Sequence, residues 1–299
     1  MLAALFDDEG GEIRRRQVPT PPSRPGASAR LDETLAKLVT EVVGHDSVAA
    51  IGIASAGPAD MEAGTIDPVN IPGWRDFPVR AAVSAHCAGA PALLLGDALA
   101  AAIGEYEYGA GKGASSLLGI VVSTGIGGGL VLGGHPFSGA TGNAGHFGHE
   151  EIEPGGDACG CGSFGCLETV ASGPGMVRWA QARGWTGTDA RGLVGSARGG
   201  DAVALGALER AARGLGKALA HASLLLDLDR VVVGGGVAAA GELLLEPVRR
   251  HLAEEARLGF VRGTRVVQAE LGGDAGILGA ARQARRMLAR QPADAATLV

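Results

Sequence analysis

One histidine and three cysteines are the residues in this sequence best suited to bind a metal. They are His149, Cys159, Cys161 and Cys166, and all four lie in the glycine-rich stretch 139–168. An imidazole nitrogen and three thiolates complete a tetrahedral set for Zn²⁺, and a zinc with four protein ligands is structural because no position is left for a substrate. The alternative is that the cysteines only pack or pair, but a C-x-C spacing is short for a disulfide. The spacing therefore predicts a structural zinc site.

Two clusters of glycines are candidate contacts for a nucleotide. The cluster 124–129 (TGIGGG) lies between two predicted strands, and the cluster 234–236 lies between a strand and a helix. Bare backbone N–H groups can approach a phosphate closely, although such glycines can also form an ordinary tight turn or a crowded strand–helix junction. A nicotinamide dinucleotide fingerprint leads from a strand into a helix, so the first cluster does not favour that cofactor. Together the two clusters favour a nucleotide site in this half of the chain.

Asp97 is the candidate catalytic carboxylate. It follows a predicted strand, 91–95, and opens a predicted helix, so it could be no more than a helix cap. Open α/β sheets bind their ligands at the carboxyl ends of strands, which is the functional alternative. A carboxylate there could accept the proton of a substrate hydroxyl while Mg-ATP presents its γ-phosphoryl group.

The positions of apolar residues predict alternating strands and helices. Predicted strands span 2–6, 12–18, 48–54, 91–95, 117–123, 130–132, 230–233 and 266–271, and predicted helices span 31–43, 80–88, 174–183, 202–226, 242–257 and 277–290, with one more beginning at Asp97. A content of 46% hydrophobic and 19% charged residues suits the α/β class, whose parallel strands are apolar on both faces. The length of 299 residues allows two lobes, each with its own core.

Composition excludes several functional classes. A net charge of −6 and the lack of a long Lys/Arg run argue against nucleic acid as a partner. The apolar runs are far shorter than the roughly 20 residues of a membrane-spanning helix, and the first residues lack the basic region of a signal peptide. Four cysteines, three of them in a metal-type cluster, indicate the reducing cytoplasm. Cys87, outside the cluster, is predicted to be a small buried hydrophobe.

Together these motifs resemble the ROK family of bacterial sugar kinases and sugar-responsive repressors. The similar fragments are AGP at 56–58, NIPGW at 70–74, Asp97 with Glu105, TGIGGG at 124–129, GHFGH at 145–149, CGCG at 159–162, GCLE at 165–168, GGG at 234–236 and the stretch 272–281. The resemblance implies an α/β fold with two lobes of the actin/hexokinase (ribonuclease H-like) type and a ligand cleft between them. The expected N-terminal lobe is 1–111, completed by a helix at 275–290, and the expected C-terminal lobe is 112–274.

The resemblance also implies roles for single residues. Asp97 is expected to be the general base, and zinc is expected to fix the sugar-binding loop, with His149 using one ring nitrogen for the metal and the other for a sugar hydroxyl. The implied sugar contacts are Gly57, Asn70, His146, His149 and Glu168. The implied nucleotide contacts are Thr124, Gly125, Gly127, Gly128, Gly234, Gly235 and Gly236. Mg²⁺ is expected to accompany ATP.

Three features depart from the family pattern. The opening strand and D-x-G-G-T phosphate loop that usually precede LAALFDDEGG are not present, so we expect a core strand to be missing and the start codon to be mis-assigned. In-frame translation of the upstream DNA tests this expectation.

Two substitutions also depart from the pattern. Gly96 replaces the usual Asn before Asp97. His146 replaces a usual Glu, which exchanges an acceptor-only carboxylate for a group that donates and accepts. Both changes affect the expected choice of sugar.

The expected function is ATP-dependent phosphorylation of a hexose or an N-acylated amino sugar by a glucokinase-like homodimer or homotetramer. The alternative is a sugar-binding sensor of the same family with impaired catalysis. Sugar binding without nucleotide binding would favour the sensor. A DNA-binding repressor is disfavoured, because no helix-turn-helix segment precedes the sugar-binding part of this acidic chain. A nicotinamide-dependent oxidoreductase is a third candidate, which only the glycine clusters support.

Overall fold

Strands and helices alternate along the chain, as the pattern of apolar residues predicts. A computed structural model describes residues 1–21, 27–69, 71 and 73–290. The first half contributes β1 (Leu2–Phe6), β2 (Glu12–Gln17), α1 (Ala27–Val43), β3 (Ile51–Ser55), β4 (Ala59–Asp60), β5 (Thr65–Ile66), α2 (Val79–Ser84), β6 (Ala92–Gly96) and α3 (Asp97–Tyr108). The second half contributes β7 (Ser116–Val122), β8 (Ile126–Leu132), β9 (His135–Phe137), α4 (Leu167–Ala171), α5 (Gly173–Gln181), α6 (Ala190–Arg198), α7 (Ala202–Leu226), β10 (Arg230–Gly234), α8 (Glu242–Glu255), β11 (Arg265–Gln268) and α9 (Ala275–Arg290).

The helix α7 shows how local signals fix an element, and its predicted bounds are confirmed at both ends. The side chain of Asp201 accepts a hydrogen bond from the N–H of Ala204 at 2.8 Å and so caps the first turn. Asp227 ends the helix in a left-handed conformation with φ of +49°. The buried face of α7 is rich in alanine and leucine and shares one core with β7 and β10. None of the described helices is both long and apolar enough to cross a membrane.

A five-stranded sheet forms the centre of the second half, in the order β11-β10-β7-β8-β9. β10 runs parallel to both β7 and β11, while β8 and β9 are antiparallel additions. Parallel strands require crossover connections, which α7 and α8 provide. The carboxyl ends of β7 and β10 therefore lie side by side at one edge of the sheet.

The predicted turn at 124–129 is wrong in its length. β8 begins at Ile126, so the turn comprises only residues 123–125, and the glycines at 127–129 are part of a strand. Glycine is depleted in strand interiors and often marks a close approach of another backbone. Close approach of other parts of the chain therefore explains why glycines occupy these strand positions.

The helix α3 lies directly on the glycines of this sheet. A Cβ on Gly129 would lie 2.3 Å from the Cα of Leu99, and a Cβ on Gly119 would lie 2.7 Å from the Cβ of Ala102. Both distances are shorter than any non-bonded carbon contact. Only glycine at these positions allows α3 to pack at this depth.

The other side of α3 packs equally closely on α9. A Cβ on Gly104 would lie 2.1 Å from the carbonyl oxygen of Ala275, and a Cβ on Gly279 would lie 1.8 Å from that of Ala100. The two helices therefore meet backbone to backbone. Since α3 begins at Asp97, this packing holds the candidate base in a fixed place.

The strands of the first half form three separate pairs, of which β4 with β5 is the shortest. β1 pairs only with β2, and β3 pairs only with β6, among the strands that the structure describes. The unpaired edges of β1 and β3 line the same cavity of about 920 Å³, and α1 and α9 supply most of its other apolar residues. Protein interiors are close-packed and rarely contain such a volume.

The packing of α3 makes Gly129 a testable position. Gly129→Ala should lower the free energy of unfolding by about 1–3 kcal/mol, because the added methyl group overpacks the contact with α3. Urea unfolding measures the difference. Gly195→Ala in α6 is the matched control, since a Cβ there has no neighbour within 4 Å. The control should be neutral or stabilising by up to about 1 kcal/mol, and equal loss of stability in both variants would contradict the close approach of α3.

Candidate active site

The four predicted metal ligands lie together in the structure. Their ligand atoms are all within 4.8 Å of one another. The Sγ of Cys159 is 3.5 Å from the Nδ1 of His149, and the Sγ atoms of Cys161 and Cys166 are 3.8 Å apart. All three cysteines are free thiols. One nitrogen and three sulfur donors at this spacing fit the ligand set of a structural zinc.

Tight turns bring these ligands together from distant positions. The N–H of Cys159 donates to the carbonyl oxygen of Ser163 at 2.8 Å, and Gly162 turns the chain between them with φ of +94°. Cys166 immediately precedes α4, and His149 ends a short 3₁₀ turn. The loop 139–168 thus combines ligands from a turn, a small hairpin and a helix start.

The thiols of the cluster have unequal acidities. Burial raises the pKa of Cys166 to about 12, and its hydrogen bonds to the other two thiols add to the shift. Burial also raises the pKa of Cys159, whereas a hydrogen bond from the backbone of Ser163 is the main cause of a lowered pKa at the exposed Cys161. Three adjacent thiolates repel one another, so a divalent cation is what would allow all three to ionise together.

His146 lies among the predicted sugar contacts. Its ring stacks on the ring of His149 with centroids 5.9 Å apart, and its Nε2 is 3.6 Å from the position of a Cβ on Gly57. Burial is the main cause of a lowered pKa at His146; the charge of His149 acts in the same direction, and the carboxylates of Asp97 and Glu168 oppose it. The imidazole is therefore neutral at pH 7, with both carboxylates close enough to act on it.

Glu168 connects the loop 139–168, which we call the metal loop because it carries the candidate metal ligands, to the central sheet. Its Oε2 accepts a hydrogen bond from the N–H of Ile126, the first residue of β8, at 2.8 Å. The structure thus gathers four of the five predicted sugar contacts with Asp97. Asn70 lies outside the described residues, and its role stays a prediction.

Asn143 is a residue of this region that the sequence did not reveal. Its Oδ1 accepts from the N–H of Ala59 at 2.9 Å, and its Nδ2 donates to the carbonyl oxygen of Ala59 at 2.8 Å. The amide therefore pairs with β4 in the way a strand backbone would, and joins the loop 139–168 to the first half of the chain. The contact spans 84 positions, and no local pattern indicates it.

Asp97 lies at the carboxyl end of β6, where the sequence predicts it. Its Oδ1 accepts a hydrogen bond from the N–H of Ala98 at 2.7 Å, and its side chain reaches solvent through the cavity. Although the residue is exposed, the protein nearby displaces much of the water around the carboxyl group. This burial raises the pKa of Asp97, while the N–H of Ala98 and the charge of His146 act against the increase. A carboxylate with a raised pKa is a stronger proton acceptor than an ordinary aspartate.

The two glycine turns meet at the carboxyl ends of β7 and β10. Gly235 has φ of +90°, and a Cβ on it would lie 2.3 Å from the carbonyl oxygen of Val122. The N–H of Gly173, the first residue of α5, donates to the carbonyl oxygen of Ser123 at 2.8 Å. The turn 123–125, the turn 234–236 and the start of α5 therefore share one edge of the sheet, which is where open α/β sheets bind ligands.

Some of the predicted nucleotide contacts lie inside the strand β8, and others lie in the turn before it. The N–H of Gly128 donates to the carbonyl oxygen of Gly145 at 2.8 Å, and Gly127 pairs with Val121 inside the sheet. These two glycines therefore support the strand. Thr124 and Gly125 are in the turn itself and keep the predicted role of phosphate contact.

Solved structures that resemble this chain include sugar kinases of the actin/hexokinase class. The crystal structure of a ROK family glucokinase from Streptomyces griseus, in complex with glucose and AMPPNP, matches with a TM-score of 0.82 and 35% identity. The match covers 95% of this chain and 96% of that one. The chain thus has the predicted two-lobed actin/hexokinase-like fold.

The family follows from the sequence comparisons. The chain matches the ROK family over residues 1–287. A glucokinase of Streptomyces coelicolor is 34% identical over 303 residues, which cover 95% of this chain and 94% of that protein. An N-acetylmannosamine kinase of Escherichia coli is 37% identical over 282 residues, which cover 94% and 93%. The protein belongs to the ROK family, and the resemblance expected from its motifs is confirmed.

The raised pKa of Asp97 predicts a stability effect with a defined sign. The folded chain holds this proton more tightly than the unfolded chain, so the contribution of Asp97 to stability is largest at low pH and is lost as the pH rises from the ordinary pKa of 3.8 through the folded pKa. Asp97→Asn keeps an oxygen for the N–H of Ala98 and removes the charge. We expect it to raise the free energy of unfolding at about pH 7 and to have a smaller effect at about pH 3, measured by urea unfolding. The same effect at both pH values would contradict the raised pKa of the Asp97 carboxyl group.

Proposed function

We propose that the protein phosphorylates a hydroxyl group of a hexose or an N-acylated amino sugar with ATP. The observation that carries this proposal is the position of Asp97, which lies beside the predicted sugar contacts at the carboxyl end of β6. The relatives include both a glucokinase and an N-acetylmannosamine kinase, which supports the two sugar classes. His146, in place of the usual Glu, lies beside Asp97 and bears on the choice between them.

Asp97 is the general base of the proposed reaction. Its carboxylate accepts the proton of the sugar hydroxyl while the hydroxyl oxygen bonds to the γ-phosphorus and the bond to the β,γ-bridging oxygen breaks. The products are a sugar phosphate, ADP and one proton held by Asp97. Thr124 and Gly125 would face the phosphates, and Gly234 to Gly236 would lie on the adenosine side. Mg²⁺ enters with ATP and neutralises charge on its phosphates.

The residues of the cysteine cluster fit a resident zinc. His149, Cys159, Cys161 and Cys166 would hold it, and its contribution is structural, since four protein ligands leave no open position. The Nδ1 of His149 faces the sulfur atoms. Its other ring nitrogen is then available to a sugar hydroxyl, so the metal and the substrate would share one side chain.

The proposed lobes are 1–111 with 275–290, and 112–274. One hydrophobic cluster lies within 1–111 and another within 112–274, which supports this division, while a third, with Leu99 and Leu117, joins the two parts. Asp97 and Gly57 come from the first lobe, and the metal loop comes from the second. Closure of the lobes around the substrates would exclude water from the γ-phosphate.

The proposed setting is the cytoplasm, where the protein acts as a homodimer or homotetramer. Four free cysteines support a reducing compartment. The oligomeric state follows from the family resemblance, and sedimentation equilibrium tests it.

Asp97→Asn separates chemistry from binding. The variant should lose about 10²- to 10⁴-fold in turnover, because the general base is removed. It should still bind sugar, since the side chain keeps its shape. Coupled ADP release against a panel containing glucose and N-acetylmannosamine measures turnover, and calorimetry measures sugar binding. Full turnover by the variant would remove Asp97 from the role of base.

The metal proposal has its own test. The purified protein should contain about one zinc per chain, and Cys159→Ser should lose it because one of four ligands is gone. Cys87→Ser is the matched control, since Cys87 is a buried thiol outside the cluster. Plasma mass spectrometry gives the metal content. Equal zinc in both variants would show that the cluster is not the metal site.

A further inference from the structure

Three basic side chains on one face of α7 contact the segment 150–153, which directly follows His149. They are Arg210, Lys217 and His221, spaced by seven and four positions, so that they lie in one row along the helix. The row faces the metal loop and not the sheet. It is separate from the metal ligands and from the predicted sugar contacts.

Arg210 makes the strongest of these contacts. Its Nε donates to the Oε1 of Glu153 at 2.9 Å, and its Nη2 donates to the Oε2 at 2.6 Å. Such a bidentate pair fixes both partners in orientation as well as in distance. The Arg210 side chain is only 17% exposed, so water screens the pair less than it would on an open surface.

Lys217 and His221 extend the row toward the candidate metal ligand His149. The Nζ of Lys217 donates to the carbonyl oxygen of Ile152 at 3.2 Å, and the Nδ1 of His221 hydrogen-bonds a carboxylate oxygen of Glu150. The three contacts therefore hold the whole segment 150–153 on α7. They act through the side chains of Glu150 and Glu153 and through the backbone carbonyl of Ile152.

The segment 150–153 is paired in turn with the other half of the metal loop. The N–H of Ile152 donates to the carbonyl oxygen of Gly165 at 2.9 Å, and the N–H of Leu167 donates to that of Glu150 at 2.8 Å. The paired residues lie on either side of Cys166 and end next to Glu168. Any displacement of 150–153 would therefore move His149 and Glu168 together.

We propose that Arg210, Lys217 and His221 are positioning residues that fix the sugar-binding loop through Glu153, the backbone carbonyl of Ile152 and Glu150, respectively. The helix α7 supplies a rigid support that acts in addition to the metal. The proposal rests on the proposed function, because it assigns the loop to the sugar. None of the three side chains needs to touch the sugar itself.

Arg210→Gln tests this role in the full-length protein. The KM for the sugar should rise about tenfold, the usual scale for residues that support a ligand-bearing group. The KM for ATP should stay unchanged, since the nucleotide turns lie elsewhere. Arg213→Gln is the matched control, because Arg213 is on the same helix and is exposed, without a hydrogen bond or ion pair to the described residues. The charge-reversed pair, Arg210→Glu with Glu153→Arg, should restore most of the sugar KM.

Hydrogen exchange tests the same contact without any activity. The amides of Ile152 and Leu167 should exchange faster in Arg210→Gln, and in the smaller change Glu153→Gln, than in the Arg213 control, with the zinc content retained. Unchanged exchange and unchanged sugar KM would overturn the proposal, as would a fall in thermal stability with no effect on either. A wild-type protein without kinase activity would count against the proposed function, and the exchange rates would then decide the positioning role alone.

Discussion

The close packing of α3 is the constraint on which the candidate site depends. α3 lies on glycines of β7 and β8 with one side and meets α9 backbone to backbone with the other. A helix held on two sides at this depth cannot shift without a large cost in packing. Because the first residue of α3 is Asp97, the position of the proposed base is set by glycines far from it in sequence. The same packing connects the two parts of the chain that supply the predicted substrate contacts.

The metal loop presents the opposite physical problem, since it is long and glycine-rich and has few apolar residues of its own. Loops of this kind lose much conformational entropy when they become ordered. Order comes from four potential metal ligands, from Asn143 on β4, and from the basic row of α7. Each contact involves a different part of the fold, so the loop is fixed from several sides. A site built in this way can be rigid although no regular element carries it.

Local signals were sufficient for much of the fold. The alanine and leucine pattern predicts α7 at both ends, and the cysteine spacing predicts a cluster that the structure brings together. The sequence assigns the glycines at 127–129 to a turn because the neighbours that require them are distant. Gly127 and Gly129 face α3, about 30 residues earlier, and Gly128 faces Gly145. Asn143 and Arg210 could not be found for the same reason, since their partners are distant in sequence. Single-sequence patterns report what is periodic or nearby, and long-range contacts have no such signature.

The most direct test of the central claim is the stoichiometry of phosphoryl transfer. The wild-type protein is incubated with ATP, Mg²⁺ and each sugar of a panel of hexoses and N-acylated amino sugars, and ADP and sugar phosphate are measured together by mass spectrometry. The account predicts that one sugar or a small group of sugars yields equal amounts of both products. ADP formed without any sugar phosphate, or sugar bound with neither product formed, would contradict it.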